Sequence, residues 1–236
     1  MVFSYRNDPD ADGAGVACCD AVAPGGGRLD LSLAAPQAWR APDWDVVEAE
    51  LGLPALNVHQ VHGDRVVTVE ADTDPRALAS EPADAVVTTA RRVALAVRAA
   101  DCLPVLFADP DAGVVAAAHA GRVGLAAGVL PATVSRLVEL GATRITAWIG
   151  PHICGACYEV PASLRDSFAV AHPAAAATTS WGTPALDLGA AAESQLRGLG
   201  CAVVRVDPCT RETPTLHSYR RDGARSGRQA GLVWLP

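Results

Sequence analysis

The sequence predicts an α+β or mixed α/β fold, a single domain over residues 1–236 whose mixed β-sheets are flanked by helices. Short apolar segments rich in β-branched residues cluster between residues 65 and 118, and longer amphipathic segments follow them. Strands that precede helices at first, and alternate with them later, are typical of this class. Half of the 236 residues are apolar, which is enough for a sizeable core.

The elements follow from these segments in chain order. Residues 1–56 are rich in Gly, Pro and Asp, and they predict irregular structure with short elements. Strands are predicted at residues 65–71, 85–89, 93–97, 103–108, 114–118, 144–149, 201–206 and 229–235. Helices are predicted at 123–140, where Gly141 would end the first of them, and at 161–171 and 187–199.

Composition excludes several classes of function. The net charge is −7 and no basic stripe is visible, so non-specific nucleic-acid binding is not expected. No apolar run reaches the ~18–20 residues of a membrane helix, and the N-terminus does not resemble a signal peptide, so we expect a cytoplasmic protein without a membrane partner. All 19 basic residues are Arg, which excludes lysine Schiff-base chemistry. The odd number of Cys, seven, favours free thiols, metal ligands or a nucleophile over a disulfide framework.

Three residues at the edges of apolar segments are candidates for a metal site. Cys102 precedes one predicted strand, His119 directly follows another, and His62 lies upstream. One thiolate and two imidazoles make a three-ligand zinc site whose fourth position is open, as in catalytic zinc sites. Taken alone, Cys102 could equally be a small buried residue and His119 a core imidazole. Asp101 could orient a ligand, transfer a proton or cap a turn.

Five short motifs in one order carry a family resemblance. They are QVHG at 60–63, ADCLPV at 100–105, AHAG at 118–121, IGP at 149–151 and SYRRDG at 218–223. From roughly residue 55 to the end, the chain resembles the laccase-domain family, also called the polyphenol-oxidase or purine-nucleoside-phosphorylase-like family. The resemblance implies zinc bound by His62, Cys102 and His119. These three residues, with Asp101, are the predicted catalytic residues.

The same resemblance implies a reaction. The expected enzyme is a zinc-dependent purine nucleoside phosphorylase that converts adenosine or inosine and phosphate to the base and ribose 1-phosphate, with adenosine deaminase activity. Zinc lowers the pKa of bound water towards ~7, which suits attack on C6 of adenine. Copper is the alternative metal, because copper-dependent oxidation of phenols was an earlier assignment in this family. Editing of peptidoglycan precursors has also been proposed for bacterial members. The partners would be purine nucleosides and phosphate, and the protein would be a monomer or homodimer.

Phosphorolysis requires a phosphate site, for which arginines are the candidates. Arg220 and Arg221 are adjacent near the chain end, and Arg is suited to bidentate phosphate contacts. Arg122 follows the AHAG motif, where the family commonly has Trp. The alternative for the adjacent pair is a solvated surface loop.

Two other interpretations remain open. Cys102 could be the nucleophile of a cysteine hydrolase with His119 as its base, or the chain could bind a ligand without turnover. A full set of multicopper sites would draw on many His ligands. This chain has only six His, which argues against such a set. Cys154 and Cys157 form a C-x-x-C pair that could bind a second metal or cycle as a redox pair, with Cys201, Cys209 and His152 as further ligands.

Overall fold

Two mixed β-sheets, a two-stranded ribbon and seven helices make up the part of the chain described by a computed structural model, residues 2–9, 13–32, 40–206 and 208–236. The strands are β1 (Phe3–Asn7), β2 (Gly15–Cys19), β3 (Ala55–Leu56), β4 (Val66–Val69), β5 (Ala85–Thr88), β6 (Ala94–Ala99), β7 (Leu103–Asp109), β8 (Val114–Ala120), β9 (Thr146–Ile149), β10 (Ala176–Thr178), β11 (Pro184–Leu186), β12 (Ala202–Arg205) and β13 (Gln229–Trp234). The helices are α1 (Trp44–Leu51), α2 (Pro75–Ala79), α3 (Arg122–Ala127), α4 (Val129–Glu139), α5 (Ala162–Ala171), α6 (Leu188–Gly198) and α7 (Tyr219–Asp222).

The strand order confirms the predicted α+β class with mixed sheets. One sheet has the order β1-β2-β13-β6-β3, and the other has the order β12-β9-β7-β8-β5-β4. Each sheet contains both antiparallel pairs, such as β7–β8, and parallel pairs, such as β9–β12. Within the described residues, none of these helices has both the length and the apolar character needed to span a membrane.

Burial on both faces explains why the strands of the six-stranded sheet are continuously apolar. In β5, Val86 packs between the two sheets, in one cluster with Leu106. Its neighbour Val87 faces the other way, in a second cluster with Phe107 and Leu130 of α4. A sheet covered on both sides has no polar face, so its strands lose the alternation typical of half-exposed strands.

The predicted helix at 123–140 is two helices rather than one. The chain breaks at Gly128, whose φ of 100° lies in the left-handed region and whose N–H donates to the carbonyl of Gly124. Pro131 follows three residues later. A proline in a continuous helix would remove one hydrogen bond and clash with the preceding turn, so the break relieves both problems.

The segment predicted to be irregular, residues 1–56, contains more regular structure than expected. It supplies β1, β2, α1 and β3, while residues 10–12 and 33–39 lie outside the described part. β2 is five residues long and buried on both faces, so it lacks the alternation by which a strand is recognised. α1 covers the outer face of the five-stranded sheet through Trp44. The predicted helices at 161–171 and 187–199 agree with α5 and α6 to within one residue at each end.

Candidate metal centre

Cys102 and His119 meet because β7 and β8 pair antiparallel. Pro104 at the start of β7 is paired with His119 near the end of β8, so the chain returns to the same edge of the sheet 17 residues after Cys102. His62 reaches this edge from the loop between β3 and β4. The pairing of β7 with β8 therefore brings together residues whose spacing in the sequence does not indicate a common site.

The three side chains form one cluster whose geometry suits zinc. Sγ of Cys102 lies 3.9 Å from Nε2 of His62, and one ligand atom from each of the three residues lies within 4.8 Å of the others. The imidazole rings of His62 and His119 are edge to face, with their centroids 4.7 Å apart. Tetrahedral zinc with typical Zn–S and Zn–N bonds separates sulfur from nitrogen by about 3.6 Å. The donors present thus fit such an ion with little movement.

A buried carboxylate that sequence reasoning missed organises this cluster. Asp84 immediately precedes β5, is 0% exposed, and accepts a hydrogen bond from Nδ1 of His119 at 2.8 Å. That bond leaves Nε2 of His119 for the metal side, the arrangement typical of zinc-bound imidazoles. A usable signal was present, because Asp84 stands at the edge of an apolar segment as Cys102 does.

The same carboxylate shapes the loop that carries His62. Asp84 accepts hydrogen bonds from the backbone N–H groups of Val61, His62 and Gly63 at 3.1, 2.9 and 2.6 Å. His62 itself has a φ of 63°, which is uncommon for a residue other than glycine. The three bonds to one carboxylate stabilise this conformation, and one residue therefore positions both imidazoles.

Gln60 explains the first residue of the QVHG motif. Its amide nitrogen donates to the carbonyl of Arg98 at 2.7 Å, and its amide oxygen accepts from the N–H of Arg98 at 2.8 Å. The side chain thus pairs with β6 as a further strand would. This contact fastens the His62 loop to the five-stranded sheet.

Two glycines leave the space that the cluster occupies. A Cβ on Gly121 would lie 2.8 Å from Sγ of Cys102 and 3.0 Å from Cδ2 of His62. A Cβ on Gly124 would lie 2.9 Å from the carbonyl oxygen of Gly63. The last glycine of the AHAG motif and the glycine three residues beyond it are therefore required by close packing against Cys102, His62 and the loop that carries His62.

The charges of the metal-free cluster favour the thiolate. Burial opposes the charged form of Cys102, but the two imidazoles lower its pKa to about 6. Burial also opposes protonation of His119, yet the Cys102 thiolate and Asp84 raise its pKa to about 9. A thiolate at neutral pH is the form that binds metal or attacks as a nucleophile.

The cluster opens into a cavity of about 620 Å³ whose walls carry four guanidinium groups. They belong to Arg98, Arg122, Arg220 and Arg228. Asp101 is the one carboxylate among the described residues that line this cavity, so the walls of the cavity have an excess of positive charge. Such a cavity suits an anionic ligand.

Two of the three arginines predicted to bind phosphate reach this cavity together. Arg122 is the first residue of α3, and its positive charge lies close enough to the phenol of Tyr158 to oppose the rise that burial causes in the pKa of that phenol. The guanidinium of Arg220 lies 4.9 Å from the centroid of the Tyr158 ring and donates to the carbonyl of Glu159 at 2.8 Å. Both cations therefore lie near one aromatic ring on the wall of the cavity.

Arg221, the third, points elsewhere. Its guanidinium donates to the carbonyls of Thr210, Thr213 and Leu216 and forms an ion pair with Asp222. It does not line the cavity within the described residues. Those contacts hold the loop before α7 together.

Asp101 lies beside Cys102, with its carboxylate already engaged. One oxygen accepts from the hydroxyl of Thr210 at 2.7 Å, and the other accepts from the N–H of Arg220 at 2.6 Å. Asp101 has a φ of 88°, and these bonds hold the residue in that strained conformation. The contacts favour positioning of α7 over proton transfer.

Arg98 and Arg228 are the cavity residues that sequence reasoning did not consider. Arg228 directly precedes β13, which is the neighbour of β6, and Arg98 of β6 pairs with Ala230 of β13. Among the described residues, Nε of Arg98 is buried and lacks a hydrogen-bond partner. Burial and the nearby charge of Arg228 lower the pKa of Arg98. A cation within an otherwise apolar strand was the available signal.

Comparison with known proteins agrees with this architecture. The profile of the family described as multi-copper polyphenol oxidoreductase laccase matches residues 41–236, and the chain belongs to that family.

Particular relatives are more informative than the family description. The chain is 53% identical to a purine nucleoside phosphorylase of Streptomyces coelicolor, covering 75% of this chain and 74% of that protein. It is 52% identical to a purine nucleoside phosphorylase of Streptomyces griseus, covering 78% and 77%. A crystal structure of a Neisseria meningitidis protein is similar with a TM-score of 0.78, at 31% identity over 100% of this chain and 99% of that one.

Proposed function

We propose that the protein is a zinc-dependent purine nucleoside phosphorylase that converts adenosine or inosine and phosphate to the free base and ribose 1-phosphate. The observation that carries this proposal is the cluster of one thiolate and two imidazoles inside an arginine-lined cavity. The names of the Streptomyces relatives support the same reaction.

His62, Cys102 and His119 would hold the zinc, with Asp84 orienting His119. Bound there, zinc would act as a Lewis acid with one position open to a ligand. Copper is the alternative metal, in keeping with the family description. The soft thiolate and the imidazoles suit both metals.

The arginines would bind the phosphate. Phosphorolysis forms a bond between a phosphate oxygen and C1′ of the ribose and breaks the bond from C1′ to the purine nitrogen, whose electron pair stays with the base. The base then takes up a proton. Arg122 and Arg220 can hold the phosphate by charge-assisted hydrogen bonds and offset its charge. Arg98 and Arg228 form a second cationic pair on the same cavity.

Aromatic rings at the cavity would contact the base. Tyr219 is 56% exposed, so its ring is free to stack on a purine, and the Tyr158 ring lies near both phosphate-binding candidates. A stacked base near Tyr158 would bring its ribose close to both arginines.

Deamination of adenosine is a second proposed activity of the same site. A three-ligand metal leaves one position open, and hydrolytic deamination needs water in place of phosphate. In either reaction, Asp101 would hold α7 in position through its hydrogen bond with the N–H of Arg220. We propose that this chemistry takes place in the cytoplasm, with the protein as a monomer or homodimer.

A cysteine hydrolase is the alternative favoured by a specific observation, namely the lowered pKa of Cys102 beside His119. Oxidation of phenols and editing of peptidoglycan precursors are further alternatives from the family. The decisive experiment measures zinc and copper in the purified protein together with phosphate-dependent release of adenine from adenosine. The proposal expects a chelator to abolish release and zinc to restore it. Turnover that survives complete metal removal would indicate the thiol hydrolase.

Cys102→Ala and Cys201→Ala make a matched pair for the same assay. Both residues are free cysteines, but Cys201 is buried beside β12 and outside the cluster. The first variant should lose the metal of this centre and adenine release, and the second should keep both. Full activity of Cys102→Ala with stoichiometric zinc would refute the ligand assignment.

A further inference from the structure

We propose that Cys154, Cys157, Cys209 and Glu212 form a second metal site, a closed structural site for a zinc-type ion. One ligand atom from each of these residues lies within 4.8 Å of the others. The four residues are distinct from the three at the candidate metal centre. The structure thus groups Glu212 with the three cysteines, whereas Cys201 and His152, considered from the sequence, are outside the cluster.

Strand pairing brings the two ligand-bearing loops together. Cys154 and Cys157 lie on the loop after β9, while Cys209 and Glu212 lie on the loop after β12. Because β9 and β12 are parallel neighbours, their carboxyl ends meet at one edge of the sheet. The N–H of Thr210 donates to the carbonyl of His152 at 3.0 Å and fastens one loop to the other.

Each loop presents its two ligands by the same kind of turn. The N–H groups of Cys157 and Tyr158 both donate to the carbonyl of Cys154 at 3.0 Å. The N–H groups of Glu212 and Thr213 donate to the carbonyl of Cys209 at 3.2 and 2.9 Å. In both turns the first and fourth residues carry the ligands, which is the C-x-x-C spacing of structural zinc sites.

The donor set indicates which ion the site would take. Three thiolates and one carboxylate supply four ligands, which completes the tetrahedral shell of zinc and leaves no position for substrate. Soft sulfur ligands select zinc over magnesium or calcium. The N–H of Cys154 also donates to Sγ of Cys209 at 3.5 Å, a contact that stabilises a thiolate ligand.

The position of the site gives it a structural role for the neighbouring cavity. Ile153 and Tyr158, which line the cavity, flank the turn from Cys154 to Cys157. Thr210, which follows Cys209, bonds the carboxylate of Asp101. An ion shared by the two loops would hold the cavity wall in place without touching the substrate.

Metal content per chain tests the proposal. Wild type and single variants are purified under reducing conditions with zinc supplied, and zinc is measured by mass spectrometry. We expect two zinc ions per chain in wild type and in Cys201→Ala, and one in Cys154→Ala and in Cys102→Ala. One zinc in wild type, unchanged by Cys154→Ala, would overturn the proposal. So would a disulfide between cysteines of the cluster in protein prepared under these conditions.

Cobalt titration of the Cys102→Ala protein isolates the second site and avoids dependence on a single folding-sensitive variant. Three thiolates bound to cobalt should give strong near-ultraviolet charge-transfer absorption in this protein. The absorption should disappear when the substitution Cys154→Ala is introduced into this protein as well. Circular dichroism checks that the double variant is still folded.

A milder variant of the Cys102→Ala protein keeps the three cysteines of the second site. In that background, Glu212→Gln, at an exposed position, should weaken cobalt binding at least tenfold, whereas the exposed control Glu70→Gln should not. Absence of cobalt absorption from folded Cys102→Ala protein would overturn the proposal.

Discussion

The carboxylate of Asp84 and Nδ1 of His119 are 2.8 Å apart, and both groups are buried. The same carboxylate accepts the N–H of His62, so it sets the orientation of one imidazole and the backbone of the other. Burial opposes its charge, but the bonds from His119 and from Gly63 lower the pKa of Asp84 and keep it ionised. The candidate metal centre therefore depends on a residue outside its three candidate ligands.

Asp84→Asn should weaken zinc binding by about 10–100-fold, because hydrogen-bond partners of ligand imidazoles contribute on this scale. Zinc affinity is measured by competition with a chelating dye. Asp109→Asn is the matched control, since Asp109 is equally buried but lies at the far end of β7. Its zinc affinity should stay at the wild-type value. Equal losses in both variants would show that general destabilisation, and not orientation, explains the effect.

Asp109→Asn should itself produce a pH-dependent loss of stability. Burial opposes the charge of Asp109, but the N–H groups of Arg144 and Thr143, both at 2.7 Å, lower its pKa. A lowered pKa in the folded state stabilises the fold above the unfolded value of about 3.9, and that stability is lost as pH falls through the folded value.

The expected cost at pH 7 is about 1.5–3 kcal/mol, the range for a hydrogen bond to a charged group. Urea denaturation at pH 7 and at about pH 3 measures the difference from wild type. That difference should shrink at the lower pH, because the stabilisation that comes from the lowered pKa declines as pH falls below the unfolded value of about 3.9. A constant difference would contradict the assignment of this stability to the ionised carboxylate.

Gly121→Ala should lose most of the zinc bound by His62, Cys102 and His119, although its backbone tolerates alanine. Gly121 has a φ of −77°, so the penalty comes from the new methyl group against Cys102 and His62. Gly198→Ala is the control, because nothing lies within 4 Å of the added carbon at the end of α6. That variant should keep its zinc and gain up to about 1 kcal/mol of stability. Normal zinc content in Gly121→Ala would mean that the ligands move apart easily.

Arg122→Ala and Arg220→Ala should each raise the apparent KM for phosphate about tenfold or more. Loss of one charge-assisted hydrogen bond costs about 1.5–3 kcal/mol. Deamination of adenosine should suffer much less, because it uses no phosphate. Initial rates at varied phosphate concentration measure the effect.

Arg221→Ala provides the comparison for these two variants, since its guanidinium holds a loop outside the cavity. It should leave the KM for phosphate near the wild-type value. If all three variants lose both activities equally, the arginines serve structure or nucleoside binding. Arg98 and Arg228 would then be the next candidates for phosphate.

Several features of the fold could be predicted from local sequence. The strands β5, β7 and β8 are apolar runs bounded by turn residues, and burial on both faces makes such runs easy to recognise. The break at Gly128 was missed because the apolar periodicity continues through it. β2 was missed because five buried residues carry no periodic signal.

Within the site, the resemblance of motifs placed His62, Cys102 and His119 together. Residue spacing alone left Cys102 and His119 as possible core residues. Asp84 at the edge of an apolar segment and Arg98 within an apolar strand gave a signal in the sequence, but their roles could be assigned only from the groups that they face in the fold. Glu212 likewise could be grouped with the three cysteines only from its position in the fold.

By itself, the sequence determined the chemical inventory of this protein: free thiols, few imidazoles, arginine as the sole basic side chain besides histidine, and apolar runs sufficient for two sheets. Only the tertiary structure decided which of these groups meet. The antiparallel pairing of β7 with β8 joins Cys102 to His119, and the parallel pairing of β9 with β12 joins Cys154 to Cys209. Such contacts depend on strand order and register, and these are set by the burial of both sheets together rather than by neighbours along the chain.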